Sequence, residues 1–226
     1  MDIRFLAQSA VELIDGDTRI LMDPFITGNP KATVSADELE PTHILLTHGH
    51  ADHYGDTVDI AKRTGAPVVS IVEIANELSE LGIENVHDPN LGGTVAFDWG
   101  WVKLVPAWHS STTPNGTVST PTGMLVMVGD RLIYHLGDTA LFSDLKLIAQ
   151  RGNHVNVALV PIGGHYTMDR FDAVTACELI GADEVIPIHY DTFPPIETDA
   201  QAFKADVQNA GHAEVIVLDP GGTHEL

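Results

Sequence analysis

The run Thr47-His48-Gly49-His50-Ala51-Asp52-His53 constrains this chain more than any other stretch. Four imidazole and carboxylate side chains fall within six positions, directly behind the apolar run Ile44-Leu45-Leu46. The apolar run reads as a buried strand. In an extended chain, side chains two apart point the same way, so His48 and His50 can share one metal ion. A turn after His50 that opens a helix over Asp56–Arg63 would bring Asp52 and His53 back to the strand end, beside a second ion. Neutral imidazole and carboxylate oxygen suit zinc, and also manganese or iron. The plain alternative is a polar surface loop, which leaves this density of ligand-type residues unexplained.

Three more residues repeat the placement. His109 follows a strand over Val102–Ala107, Asp138 follows Leu132–Leu136 through Gly137, and His189 follows Val185–Ile188. Each sits where a buried strand runs out, which is where binding groups converge in α/β proteins. Singly, each reads as a capping Asp or a histidine satisfied in the core. Together with the first cluster they form a set.

The surrounding pattern is α/β. Val11–Ile14 and Arg19–Met22 flank Asp15-Gly16-Asp17, a hairpin turn signal. Thr94–Phe97 and Trp101–Ala107 flank Asp98-Trp99-Gly100, and Gly123–Val128 and Arg131–Leu136 flank Gly129-Asp130. Helices are predicted over Asp56–Arg63, Glu73–Leu81, Thr139–Gln150, Asp169–Ile180 and Asp199–Asn209, each stopped by a following glycine. Hairpins interleaved with helices predict two central sheets with helices outside. No repeat or linker divides the chain, so one domain over residues 1–226 is expected.

Composition narrows the function. Hydrophobic residues make up 44% and charged residues 19% of 226, as in ordinary soluble proteins. No apolar run approaches the ~18 residues of a membrane span. The start lacks the basic and apolar regions of a signal peptide. A single cysteine, Cys177, allows no intrachain disulfide, so a cytoplasmic location is expected. Its neighbours in Ala173–Ile180 predict a buried, inert thiol. The net charge of −21 argues against nucleic acid as a partner, since that affinity rests on Lys and Arg neutralising phosphates. A small-molecule substrate is expected instead. Oligomeric state is not readable, and a homo-oligomer is compatible with the sequence.

The His48–His53 cluster resembles the H-x-H-x-D-H signature of the metallo-β-lactamase superfamily. Asp23-Pro24-Phe25 with Gly28-Asn29-Pro30, Trp108-His109-Ser110-Ser111, and Gly163-Gly164-His165-Tyr166-Thr167-Met168 resemble its uncharacterised metal-dependent hydrolase branch, related to the ascorbate-6-phosphate lactonases. The resemblance implies a four-layer αββα sandwich. It implies His48, His50 and His109 on one divalent ion, Asp52, His53 and His189 on a second, and Asp138 bridging them. Zinc is the expected metal, with manganese or iron as alternatives. The expected activity is hydrolysis of an ester-like bond (lactone, thioester or phosphodiester) by a bridging hydroxide, with Asp52 orienting the nucleophile. A nuclease and a di-iron oxidoreductase of the same fold are the alternatives. Relatives often carry a histidine where this chain has Gln8, which puts a first-strand contact in question.

Other residues have weaker claims. His165 reads as a general acid, a substrate contact or a plain loop histidine. Asp23 reads as a support for a metal-bound histidine or as a strand-ending turn. Tyr190 and Asp191 divide between pocket and surface. His43, His87, His135, His154, His212 and His224 read as structural or surface residues, and Trp99, Trp101 and Trp108 as core or hairpin packing. The loops Phe25–Glu40 and Ser110–Thr122 are expected to set specificity, with the hydroxyls of Ser110, Ser111, Thr112 and Thr113 available to a polar ligand.

Overall fold

A computed structural model describes residues 1–148 and 154–226. Strands β1 (Asp2–Ala7), β2 (Ala10–Asp15) and β3 (Thr18–Met22) form an antiparallel meander, extended in parallel by β4 (His43–Leu45), β5 (Val68–Val69) and β6 (Val86–His87). The second sheet starts with antiparallel β7 (Thr94–Phe97), β8 (Gly100–Pro106), β9 (Thr122–Val128) and β10 (Arg131–His135). It continues in parallel through β11 (Val157–Pro161), β12 (Glu184–Ile188) and β13 (Glu214–Val215). The last strand, β14 (Thr223–Glu225), returns to pair with β1 in the first sheet.

Side-chain alternation makes the layers. On β9 to β12, Met124, Val126, Ile133, Val157, Leu159, Ile186 and Ile188 join the core that also holds Ile3, Leu13, Leu21 and Leu45 of the first sheet. Their neighbours Leu125, Leu132, Tyr134, Ala158, Val160 and Val185 point the other way, into a second core. Helices α1 (Ala51–Tyr54), α2 (Thr57–Thr64) and α3 (Val72–Glu80) add Tyr54, Ile60, Ile74 and Leu78 to the first core. Helices α4 (Arg170–Ile180) and α5 (Ala200–Ala210) add Ala176, Cys177, Phe203 and Val207 to the second. The order is helix, sheet, sheet, helix, the expected four-layer αββα sandwich. Each fully buried aliphatic side chain contributes about 1.5–3 kcal/mol to holding these layers together.

The three hairpins stand where the turn residues place them, with Asp15 facing Thr18, Phe97 facing Gly100 and Val128 facing Arg131. Asp169 and Asp199 cap α4 and α5 with their carboxylates, and Gly65, Gly181 and Gly211 close α2, α4 and α5. Cys177 is buried, and burial pushes its thiol up to about 12.

Three expectations change. The helix predicted over Thr139–Gln150 is, in its described part, only a 3-10 turn over Ser143–Leu147; Gln150 and Gly152 lie outside the described residues. Thr139 cannot open a helix because its hydroxyl accepts from the Trp108 N–H and its carbonyl from Met168. The segment after His50 does not run straight into the Asp56 helix either. It closes its own turn, α1, and Gly55 breaks the path at φ 40°. Trp108, expected in packing, is 68% exposed on the loop beyond β8, whereas Trp99 stacks on Phe97 and Trp101 packs against the second core.

Gly55 is where α1 and the Asp23-Pro24-Phe25 segment meet. A Cβ there would lie 2.3 Å from the Pro24 carbonyl oxygen. Gly55→Ala is therefore expected to destabilise the fold by about 2–4 kcal/mol, from the left-handed backbone and the clash together. A denaturation midpoint equal to that of the unaltered chain would contradict this.

Candidate metal centre

All strand ends that carry the predicted ligands open on one side of the sandwich. β4 delivers His48 and His50, α1 delivers Asp52 and His53, and β8, β10 and β12 deliver His109, Asp138 and His189. Donor atoms of His48, His50, His109 and Asp138 lie within 4.8 Å of one another, and so do those of Asp52, His53 and His189. Asp138 joins the two groups. Its Oδ2 is 3.5 Å from His109 Nε2 and 3.1 Å from His189 Nε2, and its Oδ1 is 3.2 Å from His53 Nε2. All seven residues that the sequence singled out as ligands therefore meet.

Asp23 lies behind them, fully buried. Its carboxylate accepts from the Thr47 N–H at 2.8 Å, the Thr47 hydroxyl at 2.6 Å and His53 Nδ1 at 2.7 Å. The hydrogen-bond directions fix two tautomers. A carboxylate only accepts, so the single Thr47 proton goes to Asp23, and the Thr47 oxygen must accept from His48 Nδ1, 3.1 Å away. His48 and His53 then both carry a proton on Nδ1, which leaves Nε2 as the nitrogen each turns toward Asp138. Asp23 acts as a support and not as a plain strand-ending turn.

Burial opposes charge on every one of these groups, and neighbouring charges decide the outcome. Beside His53 and His189, the carboxyls of Asp52 and Asp138 are held well below the usual range, although burial alone would raise them. His53 is pushed well above the ordinary histidine value because Asp138, Asp23 and Asp52 outweigh burial. His189 rises to about 9 against burial, driven by Asp138 and Asp52. Burial lowers His48, His50 and His109.

The donor set suits a pair of divalent cations. His53 Nε2, His189 Nε2 and Asp138 Oδ1 are buried and make no aligned hydrogen bond, although they lie 3.1–3.8 Å from other cluster atoms. Close but misaligned atoms converge on shared points between them, as ligands do.

Gln8 resolves the question about the first strand. It is 1% exposed, and its amide donates to Asp52 Oδ2 at 2.8 Å. Its backbone carbonyl accepts from the His189 N–H at 2.7 Å. One residue thus steadies two candidate ligands. Among the described residues, the non-glycine residues with positive φ are Ala7, Gln8, Asp23, His189 and Asp191, all at or just past the ends of β1, β3 and β12.

A cavity of about 540 Å3 opens over the cluster. His165 is exposed and does not line it; the neighbouring Tyr166 does, with Phe25, Phe193 and Ser110. Phe25 opens the Phe25–Glu40 loop expected to set specificity, whereas sequence reasoning gave no such role to Tyr166 or to Phe193, which stands four positions behind the strand-end residue His189. Of the four hydroxyls expected to face a ligand, Ser110 alone lines the cavity. Ser111 accepts from the Gly49 N–H, and Thr113 donates to Glu77. Tyr190 and Asp191 line a smaller hollow apart from the cluster. His135 is buried between the Ser9 carbonyl and the Gly137 N–H, a structural role.

The β-lactamase superfamily domain matches residues 18–190. The chain belongs to this superfamily and is a metal-dependent hydrolase of the metallo-β-lactamase fold. It is 49% identical over 222 residues to a UPF0173 metal-dependent hydrolase of Thermus thermophilus, covering 98% of this chain and 97% of that one. It is 47% identical to a UPF0173 metal-dependent hydrolase of Shouchella clausii, with both chains covered in full. The structure of a metallo hydrolase from the archaeon Ignicoccus hospitalis superposes with a TM-score of 0.91 at 36% identity, covering 100% of this chain and 98% of that one. No helix among the described residues is long and apolar enough to cross a membrane.

Gln8→Leu removes the amide from Asp52 and is expected to weaken metal binding about tenfold, within the ~10–100-fold range for the loss of a supporting partner. Gln8→His, which can still donate, should recover most of it. Chelator competition on both variants measures the effect, and unchanged affinity in the leucine variant would refute it.

Proposed function

We propose that the protein hydrolyses an ester-like bond of a small molecule at a two-metal centre. His48, His50 and His109 would hold one ion, Asp52, His53 and His189 the other, and Asp138 both. Zinc fits this nitrogen- and oxygen-donor set, as do manganese and iron. The observation that carries the reading is the pair of buried and half-buried donor groups that Asp138 links at the floor of an open cavity.

The ions, when bound, would supply a water acidified toward neutrality and polarisation of the substrate's carbonyl or phosphoryl oxygen. Among the three carboxylates of the centre, Asp52 is 27% exposed, against 2% for Asp138 and 0% for Asp23. It is the one able to orient an incoming water, with Gln8 fixing its second oxygen. Ser110, 3.5 Å from His50 Nε2, offers a hydroxyl to the substrate. His165 stands beside Tyr166, ring centroids 4.6 Å apart, and would act from the rim as a substrate contact. The charge of −21 supports a small-molecule substrate over nucleic acid, and a cytoplasmic setting accords with the buried thiol of Cys177.

Two outcomes are expected. His48→Ala should lose bound metal and hydrolysis together, as read by elemental analysis and a screen of lactones, thioesters and phosphodiesters; an active, metal-free variant would sink the proposal. In metal-free protein His189 stays protonated up to about pH 9, so coordination must displace that proton. Metal affinity should therefore rise with pH between about 6 and 9, by up to tenfold per unit for each proton displaced. A flat chelator-competition profile across pH 6.5, 7.5 and 8.5 would contradict it.

A further inference from the structure

From the walls of the cavity over the metal centre we infer that the enzyme selects uncharged ester-like substrates carrying a flat apolar group, such as aryl-substituted lactones and esters. The inference rests on the hydrolase reading and narrows it. The floor of the cavity is His50, Asp52, His109, Asp138 and His189; the walls are Phe25, Phe193 and Tyr166. The rings of Phe25 and Phe193 lie 6.3 Å apart, inclined by 32°, close enough to pack as one apolar face.

Both rings ride on backbone that is tied down. Past Phe25, the N–H groups of Ile26 and Thr27 donate to the Asp56 carboxylate at 3.0 and 2.8 Å, and the Asn29 amide donates to the Phe25 carbonyl at 3.0 Å. Phe193 opens a 3-10 turn whose Ile196 N–H donates back to its carbonyl, and Asp191 closes the loop by accepting from the Thr198 N–H. A wall organised before binding takes up an apolar group at little entropic cost.

The charges exclude other classes. Among the described residues no Lys or Arg lines this cavity, and the whole chain is at −21. A carboxylate or phosphate on the part of the substrate that lies against Phe25 and Phe193, away from the metal ions, would leave water for an apolar wall with no Lys or Arg beside it. Net, hydrolysis adds water across the acyl C–O bond. The water oxygen joins the carbonyl carbon, the C–O pair leaves with the alcohol oxygen, which departs protonated, and the acid is released as carboxylate and a proton.

The test uses the metal-loaded full chain and matched pairs of γ-lactones and esters: a phenyl-substituted member, and its counterpart with a carboxylate on the ring. The neutral aryl member should show kcat/KM at least tenfold higher. Phe193→Ala and Phe25→Ala should raise its KM about tenfold with metal content unchanged, and Phe193→Tyr, which keeps the ring, should stay near the unaltered enzyme. A second arm omits turnover: a phenyl-substituted γ-lactam, which resists hydrolysis, is titrated into the metal-loaded protein and followed by NMR. Binding that the two alanine variants lose supports the aromatic wall. Hydrolysis of the panel without preference for the neutral aryl members overturns this inference and leaves the hydrolase reading intact. Failure to hydrolyse any member, and any thioester or phosphodiester of the wider screen, with lactam binding retained, overturns the hydrolase reading and leaves the wall as the ligand-selecting face.

Discussion

The buried carboxylate of Asp23 is the interaction on which the centre depends. It reaches His53 directly and His48 through the Thr47 hydroxyl, so one unexposed anion sets the tautomer of one histidine in each donor group. It also ties the sheet together, since the Asp23 N–H donates to the Leu45 carbonyl while the side chain takes the Thr47 N–H. A buried carboxylate without such partners would cost several kcal/mol. Here burial would raise its pKa, but His53, with His135 and His48 nearby, holds it below the usual value.

The sandwich gives that interaction its setting. Within the first sheet β3 and β4 run parallel, and within the second β10, β11 and β12 do, so the loops that follow them leave from the same edge. Hairpins elsewhere consume no ligand positions. The result is a floor of polar groups supplied by both sheets and an apolar rim supplied by loops. That division lets a family keep one chemistry while changing what it acts on.

Much of this was legible in the sequence because the relevant signals are local. Hairpin turns, helix-stopping glycines and a run of four ligand-type residues are read over a few positions, and all seven candidate ligands meet in the structure. The support network was less legible, because its partners are distant in the chain: Gln8 reaches Asp52, Asp23 reaches His53, and Ser111 reaches Gly49. Whether His165 or Tyr166 faces the cavity depends on the path of one loop, which periodicity does not encode. The failed helix at Thr139 has the same origin, since tertiary bonds to Trp108 and Met168 override its local preference.

The left-handed backbone at Gln8, Asp23 and His189 has an evolutionary consequence. Glycine would suit those conformations better, yet each position carries a side chain that the centre uses. Strain of roughly 1–3 kcal/mol per residue is characteristic of such sites. Selection for heat resistance and selection for turnover therefore pull against each other at these three strand tips. Descendants of this chain that tolerate higher temperatures should have gained their robustness in helices and distant turns, leaving those tips as they are.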